Sequence, residues 1–269
     1  MNAAPVLALD LRGRSALVTG STAGLGYAIA DALARAGANV VLHGLENDAA
    51  TREACDAMAQ RNNVKCMLSN ADLRDVDQIE ALMAHVIGTF GSIDIVVNNA
   101  VIRHFAPADE LPRADWDDGL AVNLSAAFHL ARLSIPGMRQ KAWGRIINLS
   151  SVYGTGATAN RIGYITTKTA LLGMTRALAI ETAATGITCN AVSPGTVPTP
   201  AITSRIAGIA QQQGISVEQA EREYLASRQP TGRFVAMENV AALIAFLCSE
   251  PGRDITGASL PIDGGWSAA

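Results

Sequence analysis

Short apolar runs alternate about seven times with helix-period segments along this chain of 269 residues. Few folds satisfy that alternation. A run that pairs in parallel with its neighbour needs a long crossover, and the crossover supplies the helix that covers the sheet. The runs Ser15–Val18, Asn39–Leu42, Val64–Ser69, Ile93–Val97, Arg145–Ser150, Ile187–Val192 and Ala258–Ile262 read as strands. Ile93–Val97 is almost wholly apolar, as a strand covered on both faces requires. Helical patterns follow through Ala36, over Ala49–Arg61, Val76–Phe90 and Arg113–Gln140 with a break near Pro136-Gly137, then from Tyr164 to about Thr185 and over Asn239–Ser249. No linker or low-complexity stretch divides them. The pattern predicts one α/β domain, residues 1–269, with a doubly wound, mostly parallel, seven-stranded sheet and right-handed crossovers. The most polar helical region, Ala201–Phe234, carries no strand pattern and predicts a helical lid at about residues 196–235.

The first strand leads into Thr19-Gly20-Ser21-Thr22-Ala23-Gly24-Leu25-Gly26 and then a helix. Glycines let the backbone turn sharply and approach a ligand closely. The helix N-terminus offers unpaired N–H groups and a positive dipole end to a pyrophosphate. Strand, glycine turn and helix in that order point to a Rossmann-type nucleotide site over Gly20, Ser21, Thr22, Gly24, Leu25 and Gly26. A dinucleotide fold places an acid about twenty residues later, at the adenosine ribose. Here that place reads His43-Gly44-Leu45-Glu46, so Gly44 and Leu45 would border the ribose, and Glu46 is either its partner or a solvated loop charge. No Arg or Lys stands in this turn or in the glycine loop, which favours NAD over NADP. Asp72-Leu73, after the third strand, either meets the adenine or caps the next helix.

Tyr164 and Lys168 stand four apart, on one face of a helix. A free phenol titrates near pKa 10 and is a poor acid–base group at neutrality. A cation one turn away favours the phenolate. A shift of ~3 units needs roughly 4 kcal/mol of differential stabilisation, within reach of one ammonium and a second positive charge. Tyr164 would then exchange a proton with an alcohol oxygen, and Ser151, at the end of the preceding strand, would hold that oxygen. Asn123 lies mid-helix between Val122 and Leu124, where a polar side chain is either exposed or specifically paired.

A net charge of −3 leaves no electrostatic footprint for nucleic acid or an anionic membrane. Cys55, Cys66, Cys189 and Cys248 have no paired spacing and read as reduced, buried thiols, not disulfides or metal ligands. The four histidines lack metal-ligand spacing, so no metal is expected. Met1–Arg14 lacks the basic start and long apolar run of a secretory leader, and no stretch reaches membrane-spanning length, so a cytoplasmic protein is expected.

Taken together, Thr19-Gly20-x-x-x-Gly24-x-Gly26, Asp72, Asn98-Asn99-Ala100, Asn123, Ser151, Tyr164-x-x-x-Lys168 and Pro194-Gly195 with Thr199 resemble the short-chain dehydrogenase/reductase family over about Leu11 to Trp266. The resemblance implies NAD(P)-dependent interconversion of an alcohol and a ketone on a small-molecule substrate. It implies that Tyr164 is the general acid–base, that Lys168 binds the nicotinamide ribose and lowers the Tyr pKa, and that Asn123 positions a relay water. It places Asn99 and Ala100 beside the cofactor, and Pro194, Gly195, Val197 and Thr199 at its nicotinamide end. It also implies a homotetramer joined through the helices at about 113–140 and 164–185. Val101 stands where the family has Gly, and local adjustment is expected there without loss of cofactor binding.

Within the family the chain is similar to the D-3-hydroxybutyrate dehydrogenase branch, through the His43-Gly44-Leu45 turn, Glu221–Val235 and the Asp-Gly-Gly-Trp end. The pocket differs. Where that branch carries Gln after the Asn-Asn-Ala turn, this chain has Arg103. Its His two after the catalytic Ser is Tyr153, its Lys three before the catalytic Tyr is Arg161, its Trp after Pro-Gly is Thr196, and a lid Gln is Arg205. Three arginines suit a carboxylate, gripped bidentately, and loss of the Trp makes room. The expected substrate is a hydroxy acid larger or more anionic than 3-hydroxybutyrate, with Arg205 either in the pocket or in solvent. The alternatives are an NADPH-dependent 3-oxoacyl or sugar/polyol reductase, and a non-catalytic nucleotide-binding regulator on the same fold.

Overall fold

Val, Ile and Leu on consecutive positions build strands whose two faces are both covered, and the computed structural model, which describes residues 9–269, shows how. Residues 1–8, where most of the leader reading falls, lie outside the described residues. Seven strands, β1 (Ser15–Val18), β2 (Asn39–His43), β3 (Cys66–Ser69), β4 (Ile95–Asn98), β5 (Gly144–Leu149), β6 (Ile187–Pro194) and β7 (Ser259–Ile262), form one sheet in the order β3-β2-β1-β4-β5-β6-β7. Every pairing is parallel. The order reverses between β1 and β4, and a crevice opens at that point beyond the carboxyl ends of the strands.

Nine α-helices among the described residues cover the sheet: α1 (Gly24–Arg35), α2 (Ala49–Asn62), α3 (Val76–Phe90), α4 (Arg113–Leu120), α5 (Ala126–Gln140), α6 (Ile162–Thr182), α7 (Pro200–Gln213), α8 (Val217–Ala226) and α9 (Met237–Cys248). Alternate strand residues feed opposite cores. Val18, Val40, Leu42, Val97 and Ile147 pack with Ile29 and Leu33 of α1 and Ile244 of α9. Leu17, Val41, Val96 and Ile146 pack with Ile79 and Met83 of α3, Leu130 of α5 and Leu178 of α6. Each such side chain contributes roughly 1.5–3 kcal/mol by leaving water.

Several boundaries differ from the sequence reading by a residue or two, β4 and α9 among them, and three bear on the site or its frame. β3 starts at Cys66, not Val64, because α2 ends on Asn63 in the left-handed region (φ 53°) and the Val64 N–H still bonds Ala59 O. The helix at 113–140 breaks not at Pro136 but in a π-helical turn, Ala121–Ser125. Pro136 faces solvent between the buried Ile135 and Met138, which hold α5 to the sheet across the missing N–H. The helix carrying Tyr164 starts two residues earlier, at Ile162, and gives way to a 3₁₀ turn at Ala183–Thr185. Cys55 and Cys66 lie close despite their unpaired spacing: both are free, their Sγ atoms lie 2.8 Å apart, and Cys66 is half-buried where the sequence reading had it buried.

The excursion over about 196–235 consists of α7 and α8 around a small core of their own, Ile206, Ala210 and Ala220, with Tyr224 and Phe234 against it. Its base is fixed by Gln229, wholly buried, whose Oε1 accepts from Thr196 N–H and whose Nε2 donates to Arg233 O. No helix of the described residues is long and apolar enough to cross a membrane.

Candidate active site

The turn after β1 is held open for a ligand. Gly20 (φ 61°) and Gly24 (φ 59°) occupy the left-handed region that glycine tolerates. The side chain of Asn99, after β4, donates to Thr19 O and Gly20 O, and Thr19 Oγ1 accepts from Asn99 N–H and Ala100 N–H. Those bonds are made beside Val101, which is half-buried in place of the family Gly. Ser21 is buried, its Oγ donating to Val18 O and accepting from His43 N–H. The α1 N-terminus has no side-chain cap at Ala23 and no acid in its first turn. Its N–H groups, aimed at the crevice, suit a pyrophosphate. These residues therefore fit a dinucleotide.

His43 was absent from the expected site. Its Nδ1 accepts from Gly20 N–H at 3.2 Å and its Nε2 lies 2.9 Å from Ala71 O, so the proton sits on Nε2. Burial lowers its pKa and keeps the ring neutral, with the hydrogen bond to Ala71 opposing. Gly44 packs on Thr22, where a Cβ would lie 2.6 Å from Thr22 Oγ1. Leu45 and Glu46 are exposed. Asp72 is neither free nor a cap: its carboxylate pairs with Arg74 at 2.5 Å, hydrogen bonds from the Arg74 side chain and backbone hold its pKa low, and Asp75 caps α3 instead. Leu73 is buried in the core.

The reacting end gathers Ser151, Tyr164, Lys168 and Asn123. Tyr164 and Lys168 are buried one turn apart on α6, with Lys168 Nζ 5.7 Å from the Tyr164 ring centroid and 2.5 Å from Leu149 O. Burial opposes the Tyr164 phenolate, but the charges of Lys168 and Arg103 and hydrogen bonds from Ser151 and Arg103 outweigh it, leaving the phenol below its ordinary pKa. Burial likewise lowers the Lys168 pKa, opposed by Tyr164. Asn123 is buried in the π-helical turn and its amide clasps Ile102 twice: Oδ1 accepts from Ile102 N–H at 2.9 Å and Nδ2 donates to Ile102 O at 3.0 Å. Its mid-helix polarity is thus paired, and it fixes the loop that carries Arg103.

Of the three arginines, the structure brings two together here. The Arg103 guanidinium lies 5.2 Å from the Tyr164 ring centroid, and Arg161 lies 4.9 Å from Phe105 and 5.4 Å from Tyr153. Arg205 does not join them: it is exposed on α7, off the buried Ile206–Ala210 face. Tyr153 stacks edge-on against Tyr164 and against Trp266, at 6.4 and 5.7 Å. Trp266, in the closing turn, is thus a wall residue the sequence reading passed over. Thr196 is buried, held by Gln229 and by Val235 N–H on its carbonyl. Pro194 ends β6; Gly195 has no room for a Cβ, which would lie 2.8 Å from Asp263 Cα. Val197 is buried, and Thr199 starts α7.

Comparison with known proteins agrees with this geometry. A family model described as enoyl-(acyl carrier protein) reductase matches residues 20–267. The chain is 44% identical over 259 residues to a D-β-hydroxybutyrate dehydrogenase of Cupriavidus necator, covering 96% of this chain and 99% of that protein. It is 39% identical to a D-β-hydroxybutyrate dehydrogenase of Rhizobium meliloti, covering 95% and 99%. An L-sorbose reductase of Gluconobacter frateurii, solved with NADPH and L-sorbose, superposes with a TM-score of 0.92 at 28% identity, over 98% of this chain and 100% of that one.

Proposed function

Since the chain belongs to the short-chain dehydrogenase/reductase family and is an oxidoreductase of that type, we propose that it transfers hydride between NAD and the secondary alcohol of a small hydroxy acid, giving the keto acid. The observation that carries this reading is the Arg103 guanidinium beside the Tyr164 ring, with Arg161 on the same wall. A carboxylate between them would present its carbinol carbon to Tyr164 and Ser151. The names of the two dehydrogenase relatives support an acid substrate. Arginines in place of the neutral pocket residues, and Thr196 in place of Trp, support one larger or more anionic than 3-hydroxybutyrate.

When bound, the nicotinamide supplies the hydride acceptor. The chain's own residues handle the proton. Ser151 holds the substrate oxygen, Tyr164 as phenolate takes its proton, and Lys168 with Arg103 keeps that phenolate available. NAD is favoured because no basic side chain stands in the glycine loop or at Gly44–Asn47, and Arg52 on α2 is tied to Asn47 Oδ1 at 2.8 Å. A 2′-phosphate without a charged partner forgoes about 1.5–3 kcal/mol. NAD is therefore expected to exceed NADP in kcat/KM by roughly 10–100-fold; equal efficiencies would overturn the cofactor assignment.

The deciding experiment measures reduction of each cofactor across hydroxy acids and neutral polyols, with wild-type protein and Arg103→Gln. The acids are expected to be turned over, with KM raised about tenfold in the variant, or ~1.4 kcal/mol. Neutral alcohols should show no such rise. Turnover confined to polyols would favour the reading that the L-sorbose reductase likeness suggests. The same variant should move the acidic limb of the oxidation profile to higher pH, because loss of the Arg103 charge raises the Tyr164 pKa and the phenolate appears later on titration. An unmoved limb would show that Arg103 does not act on Tyr164.

The excursion α7–α8 fits a lid over this cleft. Phe128 on α5 and Ile180 on α6 stand 50% and 82% exposed and suit burial in a homotetramer of this cytoplasmic enzyme. Light scattering tests this, and a monomer at micromolar concentration would refute it.

A further inference from the structure

Two of the four thiols stand together at the edge of the sheet, away from the reacting groups. Cys55 lies in the middle of α2, and Cys66 opens β3, the edge strand. The left-handed turn at Asn63 reverses the chain between them, so residues eleven apart meet with their Sγ atoms at 2.8 Å. That lies well inside the ~3.5–4.0 Å at which even carbon atoms settle. A bonded pair needs about 2.05 Å, so a small side-chain rotation closes the gap. Both side chains enter the same core cluster, with Val40 and Met58. Cys55 is buried, whereas Cys66 is half-buried and within reach of a small solute. Among the described residues no third His, Cys, Asp or Glu completes a metal site around them.

The other two thiols mark the contrast. Cys189 on β6 and Cys248 on α9 are buried, and burial pushes each up to about 12, where little reactive thiolate forms. In the pair, the hydrogen bond between the sulfurs lowers the Cys55 pKa, with burial and Asp56 opposing, and raises that of Cys66. The pair therefore gives up a first proton more readily than a lone thiol and shares the second. We propose that Cys55 and Cys66 are a redox-modification site, which a low-molecular-weight disulfide converts to an intramolecular disulfide pinning α2 to the edge strand. With the shared proton on Cys55, the Cys66 thiolate attacks one sulfur of the oxidant. A mixed disulfide forms and the other half leaves as a thiolate. Cys55 then gives up its proton and attacks Cys66 Sγ, expelling the second half. Two S–H bonds become one S–S bond, and their two electrons and two protons convert the oxidant to two thiols. In a reducing compartment such a bond is transient. It closes a short loop and so restricts the unfolded chain. Cys66 lies at the amino end of β3, whereas the crevice lies beyond the carboxyl ends, so the bond leaves the nucleotide site alone.

The test incubates the native protein with glutathione disulfide, quenches with acid, and measures mass, free thiols and a non-reduced peptide map. The expected product has lost two hydrogen atoms, carries no glutathione, and keeps two of its four thiols, with Cys55 linked to Cys66. Its Tm should rise by roughly 3–10 °C and return on adding dithiothreitol. Cys55→Ser should instead retain one glutathione on Cys66, and Cys66→Ser should take up none. Wild type that is untouched, or that holds glutathione without bridging, would overturn the proposal. So would a bridged product that melts with the reduced protein, because the bond would then pin nothing. The wild-type measurements decide by themselves, whether or not a serine variant folds. None of these readouts needs turnover, so failure of the proposed function and failure of this proposal are separate results.

Discussion

Tyr164→Phe is expected to lower kcat by roughly 10²–10⁴-fold, the range for loss of a positioned acid–base group. The substitution removes one oxygen. The ring remains between Tyr153 and the Lys168 ammonium, and its burial is unchanged. Stability should therefore change little, and the variant should bind NAD with nearly the wild-type dissociation constant in a fluorescence titration. What disappears is the atom on which three influences converge. Lys168, Arg103 and Ser151 all favour a negative oxygen there, and together they overcome the cost of burying it. Phenylalanine leaves Lys168 with Leu149 O as its partner and no anion. A variant that keeps most of its turnover would remove Tyr164 from the reaction. One that loses NAD binding with it would mean that Tyr164 holds the cofactor's place instead of the proton.

The site was legible in the sequence where spacing dictates geometry. Tyr164 and Lys168 meet because four residues make about one helical turn, and the glycine turn can be read because glycine reaches φ near 60° without steric cost. The sheet order was legible only as a class, since parallel alternation fixes the kind of crossover but not which strands become neighbours. Residues acting through folded neighbours left no local pattern. His43 lies 23 residues from the Gly20 N–H it receives. Arg103 and Arg161 were found through contrast with the family pattern, and of the two places that contrast left open for Arg205, pocket or solvent, helix α7 puts it in solvent. Of the two readings of Asp72, the helix cap falls away because Asp75 takes that place, while Arg74, two residues on, pairs with its carboxylate.

Gly26→Ala is expected to cost both fold stability and nucleotide affinity, because the added methyl has nowhere to go. A Cβ at Gly26 would lie 2.1 Å from Gly20 O and 2.6 Å from Asn99 Nδ2. The first is backbone and cannot swing aside. The second is the clasp that donates to Thr19 O and Gly20 O. Gly20 is tied from the other side by its N–H to His43 Nδ1, so the turn is held between β2 and β4 and cannot simply retreat. Either α1 moves off the turn or the Asn99 clasp opens, and both spoil the phosphate cradle. Overpacking of this kind costs about 1–3 kcal/mol. In a domain of this size that lowers Tm by roughly 2–12 °C. NAD affinity should fall by at least about tenfold, since the lost contacts include N–H groups meant for charged oxygens. Gly88→Ala is the control. Gly88 lies inside α3 with nothing within 4 Å of its added Cβ, so Ala there should raise stability by about 0.5–1 kcal/mol and leave NAD binding alone. Thermal melts with and without NAD separate the cases. A Gly26→Ala protein that gains as much Tm from saturating NAD as wild type would show that the turn after β1 does not hold the pyrophosphate.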